Sequence, residues 1–253
     1  MKKTILIDID DTIENLCGAW VDWLNREYGT SVDYTQITQW DISKFFPNLT
    51  KEQVYEPLHN PHLWEYVQPK DGAVEYVKKL IDDGYNVYLC TTTDYRNVKP
   101  KFESVIQKHF PYISWNQVIV IDKKQMVKAD ALIDDGVHNL AGGDYIKILV
   151  SAPHNMAFNA PENGMYRVNN WKEIYSLVHR LLDNQPKKCS FGEGVSIRPD
   201  GVHELEPHAY QETQIIHNAT VSILKCKNCG KESVGWLRQP NSYEDDNLFV
   251  EEE

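Results

Sequence analysis

The sequence predicts an α/β fold: a doubly wound, mostly parallel sheet with a helical cap inserted after the first strand, plus a small β-rich C-terminal module. Three observations carry this. From residue 72 to 182, short apolar runs alternate with amphipathic helical stretches, the pattern that builds a parallel sheet covered on both faces. The aromatic stretch 14–68 contains no convincing strand. Beyond Gln185-Pro186 the texture turns polar and glycine-rich, which places a domain boundary near residue 186 and divides the chain into 1–186 and 187–253.

Taken in order, residues 4–9 form a β-branched run that reaches the carboxylates Asp8 and Asp10. Residues 14–28 read as a helix, because Leu16, Ala19/Trp20 and Trp23/Leu24 recur at helical spacing and Gly29 stops the pattern. The rest of the insertion carries Tyr34, Trp40, Phe45, Phe46, Tyr55, Trp64 and Tyr66, and one signed helix start where Thr50 precedes Gln53 as in a capping box. A helix over 72–83 closes at Gly84, and a strand over 85–90 runs into Thr91-Thr92-Thr93. A helix over 97–109 leads to a strand over 117–121. A strand over 131–133 ends in Asp134-Asp135, and a strand over 147–150 follows. Residues 171–182 form the last amphipathic helix, capped by Asn169 or Asn170.

Composition narrows the function classes. Apolar residues at 42% and charged residues at 25% of the 253-residue chain are ordinary globular values, so a true core is expected. The net charge is −11, but residues 244–253 hold six acids and no base, and setting those six aside leaves −5. A mildly acidic body argues against a broad nucleic-acid surface, which needs Lys and Arg to displace counterions. Five scattered cysteines (Cys17, Cys90, Cys189, Cys226, Cys229) do not read as a disulfide framework. Asp8 interrupts the first apolar stretch too early for a signal peptide, and no run approaches the ~18 apolar residues of a membrane span. The expectation is a reducing cytoplasm.

In an open α/β sheet, ligands sit outside the carboxyl ends of the strands. The polar clusters fall there: Asp8/Asp10 after the first strand, Thr91/Thr92 after the second, Lys123/Lys124 after the third and Asp134/Asp135 after the fourth. Mg²⁺ takes hard oxygen ligands, commonly one or two carboxylates with phosphate and water, and Asp8 with Asp134 or Asp135 supplies those carboxylates. A carboxylate can attack phosphorus to form an aspartyl-phosphate. Asp10, two residues on, could protonate the leaving alkoxide and then deprotonate water. The Thr91 and Thr92 hydroxyls and a lysine would hold the transferring oxygens.

Asp8-Ile9-Asp10-Asp11-Thr12, Cys90-Thr91-Thr92, Lys124 and Leu132-Ile133-Asp134-Asp135 resemble the four motifs of the haloacid dehalogenase (HAD) superfamily of phosphatases, whose core is Rossmann-like. Within it, the chain resembles the 5′(3′)-deoxyribonucleotidases. Gly72-Ala73-Val74-Glu75, the approach Ala129-Asp130-Ala131 to the last motif, Pro153-His154-Asn155 and Asn170-Trp171-Lys172-Glu173-Ile174 carry that closer likeness, which covers about residues 3 to 183. The resemblance implies Asp8 as nucleophile and Asp10 as general acid/base. It implies magnesium on Asp8, the Asp10 backbone carbonyl and Asp135, with Asp134 assisting through water, and phosphate on Thr91 and Thr92. It favours Lys124, ten residues before Asp134, over the neighbouring Lys123 and Lys128 as the lysine. Two departures stand out. Asp11 occupies a place where family members often carry glycine, and Gly136 stands where some relatives carry an arginine near the base or sugar, so base specificity does not transfer.

The substrate expected is a small phosphomonoester, in first place a nucleoside monophosphate. The rivals are another phosphorylated metabolite or a nucleic-acid end. Most aromatics of the insertion read as core filling; Trp40 is the preferred candidate to stack on a base. Cys90 reads as a small core residue, and His154 and Asn155 as either ligand-facing or a structural turn. In the C-terminal module, Cys226-Lys227-Asn228-Cys229 resembles half of a zinc knuckle at the turn of a hairpin between 220–224 and 233–237. A structural zinc needs four ligands. Cys189, His203, His208 or His217 could complete the set, as could a second subunit in a homodimer; the alternative is a reduced turn without metal. A reading of another class makes this module a zinc-ribbon-like binder carried on a HAD scaffold.

Overall fold

The computed structural model describes residues 2–183 in full and, beyond them, the backbone of three strands at 209–216, 219–226 and 232–236. The chain divides into two compact units, Met1–Asp183 and Asn184–Glu253.

The first unit is built on a six-stranded, all-parallel sheet. In chain order its elements are β1 (Thr4–Ile7), α1 (Leu16–Tyr28), α2 (Lys51–Tyr55), α3 (Pro61–Tyr66), α4 (Ala73–Asp82), β2 (Asn86–Thr91), α5 (Tyr95–Lys101), β3 (Val118–Val120), β4 (Ala131–Asp134), α6 (Val137–Leu140), β5 (Ile146–Val150), β6 (Tyr166–Val168) and α7 (Trp171–Leu182). The strand order is β3-β2-β1-β4-β5-β6, and every neighbouring pair is parallel. Two elements exceed the sequence expectation: the one-turn α6, and the three-residue edge strand β6, which is too short to show alternation.

Side-chain alternation along each strand places apolar residues on both faces, as a parallel sheet covered by helices requires. Ile5, Ile7, Val87, Leu89, Ile133 and Ile148 pack into one cluster with α1, α4 and α7. Leu6, Cys90, Leu132 and Leu149 face the other way, against Leu140 and Met165. Cys90 is therefore a core residue, with no solvent exposure.

Between β1 and α4 the chain makes the expected helical insertion, α1 included, and its two stems are zipped together. Asn15 N–H donates to Gln68 O at 2.9 Å and Lys70 N–H donates to Ile13 O at 2.9 Å. The insertion packs Ile37, Phe46, Leu63 and Trp64 into the same apolar cluster as the sheet. Side chains close its helix ends: the Thr50 hydroxyl accepts from Gln53 N–H at the start of α2, and Asn60 accepts from His62 N–H at the start of α3. Asn170 caps α7, accepting from Glu173 N–H at 2.9 Å. Pro100 removes one backbone donor inside α5, and the helix widens there into the π-helical segment Phe102–Gln107.

The second unit contains an antiparallel sheet in the order β7-β8-β9: β7 (Ala209–Ile216), β8 (Ala219–Cys226) and β9 (Glu232–Trp236). The hairpin expected from sequence corresponds to β8 and β9, and β7 is a further strand. Cys226 is the last residue of β8; Cys229, Cys189, His203, His208 and His217 lie outside the described residues. Among the described residues, no helix is long and apolar enough to cross a membrane.

Candidate active site

Parallel strands β1, β2 and β4 point their carboxyl ends at one edge, and the chain continues each ladder just far enough to place a polar side chain there. Asp8 N–H donates to Ile133 O at 2.9 Å, extending the β1–β4 pairing by one residue. The next residues form a tight turn in which Ile13 N–H donates to Ile9 O at 3.0 Å. Asp11 sits at φ 54°, the left-handed region that glycine and, among other residues, Asp tolerate. This is the physical reason Asp can occupy this turn position. The Asp11 carboxylate also accepts from Cys17 N–H at 3.2 Å, in the first turn of α1. Trp171 Nε1–H donates to Thr12 O at 3.1 Å, tying the turn to α7.

Asp8, Thr91, Lys124, Asp134 and Asp135 are all buried at this edge. Lys124 Nζ donates to Asp8 Oδ1 and, at 2.6 Å, to Asp134 Oδ2. The other Asp134 oxygen accepts from Gly136 N–H at 2.7 Å and Asn139 Nδ2 at 3.0 Å. Of the three lysines the sequence leaves open, Lys124 is the one at the carboxylates; Lys123 and Lys128 are exposed. Thr92 does not join the buried group. It is exposed, and its hydroxyl donates to Ile121 O at 2.9 Å.

Carboxylate oxygens of Asp8, Asp134 and Asp135 lie within 4.8 Å of one another. Burial pushes the Asp8 carboxyl up to about 7, against the pull of the Lys124 ammonium, and lifts Asp135 well above the usual carboxylate range, with Asp11, Asp134 and Asp8 adding to it. Burial disfavours the Lys124 ammonium, but the charges of Asp8 and Asp134 outweigh it and hold this lysine above its ordinary range. Three buried carboxylates with oxygens within 4.8 Å of one another share one lysine, which pairs with Asp8 and Asp134, so their ionised form carries an excess of negative charge that a hard divalent cation would neutralise. The donor set therefore fits Mg²⁺.

Trp40 stands at the rim, 60% exposed. Its ring packs edge-on against His138 at 4.6 Å and His154 at 5.2 Å between centroids. His154 Nε2 in turn lies 3.3 Å from Asp135 Oδ2. Asn155 belongs to the fold of the turn: its Nδ2 donates to both Asp135 O and Val150 O at 2.8 Å. Trp20 and Trp64 are buried, with indole N–H groups donating to Val54 O and Leu58 O.

The sequence reading missed two site residues. Glu14, expected only to open a helix, is completely buried beside Asp10, and burial followed by the Asp10 charge raises it well above the usual range. Lys101, expected on an ordinary helix, is buried with its ammonium on Asp10. Helical spacing offered a signal for the second: Asn97, Lys101 and Val105 recur at four-residue intervals, and all three are buried.

A parallel sheet in this strand order, with an insertion after β1 and an acidic cluster at its carboxyl edge, defines a phosphatase of the haloacid dehalogenase class. Residues 2–184 match the model of the family described as 5′ nucleotidase, deoxy (pyrimidine), cytosolic type C protein, and the chain belongs to that family. A 5′(3′)-deoxyribonucleotidase of Bacillus subtilis is 35% identical over 176 residues, covering 69% of this chain and 97% of its own. One from Clostridium acetobutylicum is 31% identical over 185 residues, covering 72% of this chain and 98% of its own. Among solved structures, a HAD family hydrolase from Deinococcus radiodurans with bound phosphate and sodium shares the fold. It aligns with a TM-score of 0.52 at 14% identity, covering 71% of this chain and 96% of its own.

Proposed function

We propose that this phosphatase is a magnesium-dependent, cytoplasmic 5′(3′)-deoxyribonucleotidase that hydrolyses nucleoside monophosphates through a phosphoryl group carried on Asp8. The observation that carries the reading is the buried cluster of Asp8, Lys124, Asp134 and Asp135 beside Thr91. The names of the relatives support the nucleotide as substrate.

In this reading Asp8 attacks phosphorus as its O–P bond forms and the bond to the sugar oxygen breaks. Asp10 gives its proton to the departing alkoxide, then takes one from the water that displaces Asp8, and inorganic phosphate leaves. Asp8, Asp135 and the Asp10 carbonyl would hold Mg²⁺, with Asp134 assisting through water, and the metal would supply positive charge between the nucleophile and the phosphate. Lys124, with the Thr91 and Thr92 hydroxyls, would hold the non-bridging oxygens, Thr92 after releasing Ile121 O. Trp40, at the rim beside Asp135's partner His154, would take the base.

Gly136 stands where some members of the resembling family carry an arginine near the base or sugar, which weakens the transfer of their base specificity to this chain. A Cβ at Gly136 would stand 2.8 Å from Asn139 Nδ2 and 3.0 Å from Asp134 Oδ1, so a side chain there would disturb the Asp134 carboxylate. Zinc on Cys226 and Cys229 is a separate proposal from sequence, decided by metal analysis of the purified chain. For the main reading, the test is phosphate release from a panel of 5′- and 3′-(deoxy)nucleoside monophosphates and non-nucleotide phosphomonoesters, with Mg²⁺ and with a chelator. Mg²⁺-dependent release with preference for the nucleotides is expected; equal or better turnover of sugar phosphates would overturn the substrate assignment.

A further inference from the structure

Among the described residues two lysines are buried, Lys124 and Lys101, and the reaction as drawn above uses only the first. Lys101 Nζ lies 2.6 Å from Asp10 Oδ2 and 3.4 Å from Thr91 Oγ1. The ammonium also sits 5.1 Å from the centroid of the Trp64 ring. These three partners belong to three parts of the unit: the turn after β1, the end of β2, and α3 of the insertion. Lys101 itself stands where α5 gives way to the π-helical segment, a local backbone form that recurs at functional sites.

A lysine on a helix normally extends its charge into water; this one is taken out of water at a desolvation cost that only well-placed partners offset. The same helix also fastens the insertion at a second point. His59 Nδ1 lies 3.3 Å from Asn97 Oδ1, and its Nε2 lies 3.1 Å from Arg96 Nη2. The insertion thus reaches the turn after β1 through α5, with Lys101 as the last link.

We infer that Lys101 is a positioning residue for Asp10: it holds the carboxyl group beside the phosphate-binding Thr91, and the Trp64 face of the insertion holds Lys101. The inference rests on the reading of Asp10 as the proton donor to the leaving group. Proton transfer is thereby tied to the seating of the insertion, and the dependence should show only for leaving groups that need a proton. The alkoxide of a nucleotide needs one as its bond to phosphorus breaks; p-nitrophenolate departs without one.

The experiment compares kcat/KM, which covers the steps through loss of the leaving group, for a deoxynucleoside 5′-monophosphate and for p-nitrophenyl phosphate. The variants are D10N, K101M, K101R and W64L, each checked for folding by circular dichroism and thermal melting. K101M should lose on the order of 10²-fold on the nucleotide and roughly ten-fold or less on the aryl ester, with partial recovery in K101R. W64L, which keeps the lysine, should show the same bias at smaller size, and it decides the matter if K101M does not fold. Equal losses on both substrates in K101M or W64L, while D10N keeps its bias, would overturn the inference alone. A D10N variant without bias would instead overturn the role of Asp10 beneath it.

Discussion

The carboxyl edge of the sheet and the insertion above it are built on different terms. At the edge, every carboxylate of the acidic cluster is placed by a parallel strand or by the residue that follows one, and nearly all solvent is removed from it. In the insertion, five-residue α2 and six-residue α3 are closed by their own caps and pack Val54, Leu63 and Trp64 into the core, while the aromatic candidate for base recognition is largely exposed. The edge can therefore keep charges at fixed separations, as phosphoryl transfer needs, whereas in the proposed function the insertion carries the surface on which substrates differ. Mutations on either side should separate chemistry from recognition.

The largest effect belongs to the edge. Asp8→Asn removes the proposed nucleophile but little volume, so turnover of a nucleotide should fall by at least about 10⁴-fold while the melting temperature does not fall. Steady-state phosphate release and a thermal scan check both halves. Next, Lys124→Met leaves Asp8 and Asp134 facing each other without their cation. Removing one partner of a buried ion pair costs about 3–5 kcal/mol, which a urea titration would detect. Turnover should also drop roughly 10²–10³-fold.

The acidic cluster predicts a linked dependence on pH and metal. Asp8 is raised to about 7 and Asp135 well above its usual range, so without metal the folded state holds protons that the unfolded chain releases. A raised carboxyl favours folding fully below its unfolded value of about 4 and loses that contribution as pH rises through its folded one. Metal-free protein should therefore lose stability as pH rises from about 4 to about 7. Mg²⁺ binds the ionised cluster, so its stabilisation should approach about 2.7 kcal/mol at a hundred-fold excess over Kd near the higher pH, and be much smaller near the lower one. Equal shifts in melting temperature at both pH values would place the metal elsewhere.

The smallest effect should come from the insertion. Trp40→Ala removes an exposed ring at the rim, so stability should hardly move. If Trp40 stacks on the base, KM for the nucleotide should rise about ten-fold, in keeping with about 1–3 kcal/mol for base–aromatic stacking, and KM for p-nitrophenyl phosphate should stay put. A parallel rise for both esters would turn Trp40 into a structural residue of the rim.

The same contrast explains what the sequence makes legible. The strand-end residues can be read because a β-branched run such as Thr4 to Ile7 is a local signal and the polar residue after it must emerge at the sheet edge. Asp134 and Asp135 are readable for the same reason; Lys124, four residues past β3, is separated from Lys123 and Lys128 only by the family spacing of ten residues to Asp134. Lys101 is hard to read because its partner Asp10 lies 91 positions away, and a lysine beside Lys99 on a helix normally extends into water. Glu14 is hidden because an acid in the first residues of a helix is normally explained by the helix dipole; here the chain enters α1 only at Leu16, and Glu14 turns inward. The position of Trp40 against His138 and His154 depends on how the insertion folds over the sheet edge, which no short-range pattern records.

The central claim is that Asp8 carries the phosphoryl group. During steady-state turnover of a deoxynucleoside monophosphate with Mg²⁺, an acid quench followed by borohydride reduction converts an acyl phosphate to homoserine. Peptide mass spectrometry should then find homoserine at position 8 in the wild-type chain and none when substrate is omitted. Rapid turnover with homoserine absent, or found at Asp10 instead of Asp8, would contradict the account.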